Sequence, residues 1–182
     1  HNEIQIQGNF FDYAIMPTYA VFKKYLMVKP ELMKQVINRY PSIQNKKNVA
    51  VHYRGTDFSS HLNHAFPQTI KLDKKYYSNA IKICKKKLGD DCVFHIFSDE
   101  MDYIKDLFEG LKVVYHNDPP EIDWVSMFLI PNIVQSNSSF CWTASLYNKV
   151  FSMQPKDGYN YHLSTCSIPY SFHHDGAYLV SS

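Results

Sequence analysis

Glycine is scarce in this 182-residue chain, and its six glycines (Gly8, Gly55, Gly89, Gly110, Gly158, Gly176) never form GxGxxG or GxxxxGK[ST]. Neither a dinucleotide fingerprint nor a P-loop is therefore supported. Cysteine is equally thin: Cys84, Cys92, Cys141 and Cys166 show no CxxC spacing, and the first three lie in apolar elements. Buried free thiols are expected, with a Cys84–Cys92 bridge as the alternative. Charge of one sign is missing too, the formal balance being +2. Lysine runs such as Lys85-Lys86-Lys87 read as a solvated helix face, so a nucleic-acid partner is not expected. No apolar run reaches the roughly 20 residues that span a bilayer, and the first residues carry no charged segment followed by an apolar one. The sequence begins at His1, which reads as the start of a processed chain or of an excerpt.

What is present suits one sizeable core, with 45% hydrophobic and 20% charged residues. "IQIQG" alternates like a strand and closes on Gly8, and Glu31 to Tyr40 places Leu32, Val36 and Ile37 on one helical face ended by Pro41. "NVAVHY" reads as a buried strand. Asp73 then caps a helix with Tyr77, Ala80, Ile81, Cys84 and Leu88 on one side, lysines on the other and Gly89 at its close. "CVFHIF", "LKVVYH" and "NIVQS" are further strands. Between and after them the pattern predicts helices following Asp99, over Trp124 to Leu129, and from Ser139 to Asn148. This alternation predicts a doubly wound α/β fold with a parallel sheet.

In such sheets ligands bind outside the carboxyl ends of the strands. Those ends here read "HYRGTD", "SDE", "HND" and "SNSS". Arg54 offers a planar donor fork suited to phosphate, and Ser138 and Ser139 stand at a helix start with hydroxyls and backbone N–H groups. Asp57 and Asp99 suit hydrogen bonds from a guanine edge, a ribose or a sugar. Each has a plainer reading: Arg54 with Asp57 as a structural ion pair, Asp99 and Ser138 as N-caps. The sequon Asn137-Ser138-Ser139 falls in the same run and reads as a coincidence of that motif. In the tail, His173, His174 and Asp175 are sequence neighbours, which seldom converge on one ion, so no metal site is expected there.

"VAVHYRGTDF", "YYSNAIKI", "FHIFSDEMDYIKDLF" and "DWVSMFLIPNIVQSNSSFCWTASLYN" resemble, in this order, consecutive motifs of the α-1,2-fucosyltransferases (glycosyltransferase family 11). That family is similar in its nucleotide site to the α-1,6- and protein O-fucosyltransferases. The resemblance covers residues 49–150, more weakly "IQIQGNFFDYAI", and its last block matches at Asp123, Met127, Asn137, Ser138, Ser139, Phe140 and Trp142.

The resemblance implies the Rossmann-like, nucleotide-binding half of a GT-B glycosyltransferase, taking GDP-fucose as donor and a glycan as acceptor, with no metal required. It divides the chain into a helical or linker segment (1–48), a GDP-sugar-binding domain (49–150) and a tail packing on it (151–182). Arg54 would hold the β-phosphate, with His52 and Asp57 flanking it, Asp99 on the nucleotide side, and Asn137, Ser138, Ser139 and Phe140 forming the phosphate loop. The reaction implied is inverting transfer of L-fucose to a sugar hydroxyl, with Arg54 and Asp57 as catalytic candidates and His61 and His64 as further candidate bases. The implied location is cytoplasmic or membrane-peripheral for a microbial or viral source and the Golgi lumen for an animal one. Two departures stand out: Gly55-Thr56 replaces an Arg-Gly pair, and the family's G-x-G-N-Q motif is absent. A GDP-sugar-binding domain without transferase activity and a structural α/β domain with coincidental motifs are the alternatives.

Overall fold

A computed structural model describes residues 24, 27–55, 72–146, 149–155 and 178–181. The opening "IQIQG", Asp57, His61, His64 and the "FHHDG" run lie outside them.

In chain order the elements are α1 (Pro30–Arg39), β1 (Asn48–Tyr53), α2 (Lys74–Leu88), β2 (Val93–Ser98), and α3 (Met101–Ile104), which runs into a 3₁₀ turn (Lys105–Phe108). They continue with β3 (Lys112–Tyr115), α4 (Pro120–Leu129), β4 (Asn132–Val134), α5 (Ser139–Ser145), β5 (Phe151–Pro155) and β6 (Tyr178–Val180). The strands form one sheet in the order β3-β2-β1-β4-β5-β6, every pairing parallel. The expected doubly wound α/β fold is thus present, in the classical order that reverses direction between β1 and β4.

Apolar residues explain the layers. Val49, Val51 and Tyr53 of β1 face a core shared with Tyr77, Ala80, Ile81 and Cys84 of α2 and Ile104 of α3, whereas Ala50 joins Val36 of α1 and Ile122, Val125 and Met127 of α4. Alternate side chains of a strand serve opposite faces, so a strand covered on both sides is apolar nearly throughout, and β1 is buried at all six positions. Two of the buried asparagines are tied into the backbone: Asn132 Nδ2 donates to the carbonyls of Lys46 and Asn48, and Asn48 Nδ2 to those of Ser42 and Ile43.

Local signals hold where they were strongest. The Asp73 carboxylate accepts the Tyr76 N–H at 2.9 Å, and Gly89 closes α2 at φ +92°, a conformation that suits glycine. Helix α4 starts four residues before the expected Trp124, because Pro120 sits in its first turn, where a missing N–H costs nothing. Helix α5 stops at Ser145 instead of Asn148. Cys84, Cys92 and Cys141 are free and buried, so the bridge alternative is not realised. Segment 151–182, read as a tail, supplies β5 and β6 to the sheet. No helix among the described residues is long and apolar enough to cross a membrane.

Candidate functional site

The strand order reverses between β1 and β4, the point at which open α/β sheets form a ligand crevice, and there the β1 end carries Arg54 and Gly55 and the β4 end carries Gln135 to Phe140. Two linked clusters stand there.

The first joins β1 to β2. Asp99 is bifunctional: one carboxylate oxygen accepts the Gly55 N–H at 2.9 Å, and the other lies 3.1 Å from Arg54 Nη1. The reading of Asp99 as an N-cap is therefore corrected, because Glu100 holds the cap position of α3 and makes no side-chain cap bond. Asp99 instead fixes the turn that aims the guanidinium. Both side chains remain partly open, Arg54 at 36% and Asp99 at 22% exposure.

Gly55 also explains the departure from the family pattern. A Cβ there would lie 1.9 Å from Glu100 Oε2 and 2.8 Å from Tyr53 Cε1. Glu100, which receives the Tyr53 hydroxyl at 3.4 Å, thus fills the space in which a side chain at position 55 would start. The residue types alone give no sign of Tyr53 and Glu100 as site neighbours.

The second cluster joins β1 to β4. His52 is 5% exposed, its Nδ1 lies 2.7 Å from Ser136 Oγ, and its ring centroid is 5.8 Å from that of Phe140. Burial pushes its pKa down to about 4, so the ring is neutral near pH 7. Ser136 has a hydroxyl among three in the "SNSS" run, and nothing in the sequence prefers it over its neighbours. Ser138 caps α5, its hydroxyl accepting the Phe140 N–H at 3.3 Å. With seven residues, α5 offers a ligand the N–H groups of its first turn more than a macrodipole. Ser139 is exposed beside it, whereas Asn137 is 3% exposed, which closes the sequon to a glycan in the folded chain.

The structure therefore brings Arg54 together with Asp99, and His52 with both Ser136 and Phe140, on adjacent strand ends. The arrangement can present a guanidinium, a hydroxyl-capped helix start and a neutral imidazole to one polar ligand.

No protein-family model matches the chain, and no curated protein sequence does. Solved structures do match. POFUT1 in complex with GDP aligns with TM-score 0.52 at 15% identity, over 70% of this chain and 46% of that one. POFUT1 in complex with GDP-fucose aligns with TM-score 0.51 at 15% identity, over 69% and 44%. The chain shares the fold of the matched part of these structures. The chain spans under half the length of the POFUT1 structures it matches.

Proposed function

We propose that this chain is the donor-binding half of a fucosyltransferase, taking GDP-fucose in the β1/β4 crevice with the diphosphate against Arg54 and the Ser138–Phe140 turn. The observation that carries this reading is the crevice itself: Arg54, fixed by Asp99, opens at the strand-order reversal beside the α5 start, in a fold shared with POFUT1.

In the proposed reaction the bond from fucose C1 to the β-phosphate oxygen breaks as an acceptor sugar oxygen bonds C1 from the opposite face. The configuration inverts, GDP departs, and the acceptor's proton goes to a base. Arg54 stabilises charge growing on the diphosphate, a role that needs no metal. Asp57, His61 and His64 remain the candidate bases, in a segment outside the described residues. The resemblance at residues 49–150 favours a galactoside acceptor and an α-1,2 linkage.

Calorimetric titration with GDP, GMP and GDP-fucose tests this reading. Tighter binding of GDP than of GMP, lost in a folded Arg54→Ala variant, is the expected result; equal binding of both removes the diphosphate clamp. A second reading is a domain that binds GDP-sugar without transferring it. Single-turnover release of GDP in the presence of lactose separates the two.

A further inference from the structure

Away from the crevice, β3 leads into a cluster on the α1/α4 face of the sheet. His116 is 2% exposed, with Nε2 2.9 Å from His95 Nδ1 and its ring stacked on Phe97 at 4.2 Å. Its Nδ1 has no hydrogen-bond partner, nor has the buried Oδ1 of Asp123 on α4. The Asp118 side chain, 2% exposed, accepts the Tyr40 hydroxyl at 2.7 Å and pairs with Arg39. One ring nitrogen of His116 and one carboxylate oxygen each of Asp118 and Asp123 all lie within 4.8 Å of one another.

Two buried polar atoms left unsatisfied in one place cost about 1–3 kcal/mol each. An imidazole and two carboxylates are also a donor set for a first-row divalent cation. We propose that His116, Asp118 and Asp123 form a metal site, zinc by its donors, that pins the turn between β3 and α4 to α1 and the sheet.

The surroundings fit this role. Because His95 engages Nε2, Nδ1 is the nitrogen left to ligate, and a hydrogen bond from Nε2–H to His95 sets the tautomer with its lone pair there. Tyr40 and Arg39 orient the Asp118 carboxylate in the same way. Bonds of about 2.0–2.1 Å place tetrahedral donors about 3.4 Å apart, so donors within 4.8 Å of one another need to close by at most about 1.4 Å. Arg39 opposes a cation, but its side chain is 56% exposed and screened, and it faces two carboxylates.

A proton is the rival occupant, since burial pushes Asp123 up to about 7. Zinc titration of the full chain at pH 7.5, by calorimetry and thermal melting, distinguishes the two. The expected result is one equivalent bound with a raised Tm, weakened at least about tenfold by either Asp123→Asn or His116→Gln. His173 and His174 could bind zinc by themselves, so the titration is repeated on His173→Gln/His174→Gln, which should keep the site. No binding to the wild type, binding indifferent to both cluster substitutions, or binding lost with the tail histidines overturns the proposal. Circular dichroism checks each variant's fold, and either of the two near-isosteric cluster variants suffices for the decision.

Discussion

The crevice at β1 and β4 and the cluster at β3 and α4 are both polar, yet their groups are satisfied in opposite ways. Arg54 and Asp99 pair with each other and stay partly exposed, so a large polar ligand can compete for them. His116 is enclosed and Asp123 partly so, and each keeps a buried polar atom without a partner, so an occupant as small as an ion, a proton or a water completes them. Asn48 and Asn132 form a third case, buried with each Nδ2 donating to two backbone carbonyls, although Asn132 Oδ1 keeps no partner. Polar residues at a sheet's edge and in its core thus announce different things: pairing near solvent suggests ligand exchange, donors tied to backbone carbonyls suggest architecture, and several unpaired ligating atoms meeting in one place suggest a missing occupant.

The largest expected effect tests the first term. Arg54→Ala should weaken GDP about 10- to 100-fold, the equivalent of a charged hydrogen bond, while GMP changes less and the thermal midpoint stays near the wild type. Unchanged GDP affinity would make the crevice another piece of architecture. Asn132→Ala comes next, because it strands the carbonyls of Lys46 and Asn48. A loss of about 1–3 kcal/mol in urea unfolding is expected, with GDP affinity retained. A neutral result would mean that these two amide hydrogen bonds do not hold the sheet there.

Gly55→Ala probes the seam between site and scaffold. The added methyl meets Glu100 Oε2, the mobile end of a side chain, but also Tyr53, which is fully buried. A cost of about 1 kcal/mol, the low end for overpacking, is expected in the same unfolding assay. No loss at all would mean that Tyr53 yields as readily as Glu100, and an arginine at position 55 would then be sterically allowed.

Much of the fold was legible because its signals are local. Strand β1 is an apolar run, and α2 has a cap, a face and a closing glycine within its own sequence. Strand β5 was not, since Ser152 and Gln154 interrupt its pattern. Both are buried, and Gln135 Nε2 donates to Ser152 at 2.6 Å while Gln154 bonds Gln135 at 3.4 Å, compensation that only the fold supplies. In the crevice, Arg54 and Ser138 could be named from residue type and strand position. The true duty of Asp99, and the presence of Glu100 and Ser136, depend on how three strand ends lie side by side. The β3 cluster was still less visible: "HND" stands out, but Asp123 joins it only because α4 starts at Pro120 and turns that residue back toward His116.

The last expected effect, a slope with pH and not a single loss, concerns His52, where site and core meet. Its pKa falls from 6.5 in the unfolded chain to about 4 in the fold through burial. Between those values the unfolded state holds the proton and the folded state does not, so its contribution is full above pH 6.5 and is lost as the pH falls toward 4. His95 and His116 also have lowered values, so the raw acid dependence of the wild type belongs to no single residue. The difference between wild type and His52→Gln isolates the ring: unfolding free energies measured from pH 4 to 7.5 should show the wild type gaining relative to the variant, by at most about 1.4 kcal/mol per pH unit. Parallel curves would mean that His52 titrates alike folded and unfolded, hence that water reaches it. The ring would then belong with the exchangeable groups of Arg54 and Asp99. A pair that separates as the pH rises places it with the scaffold instead, as a neutral hydrogen-bonding wall held by Ser136.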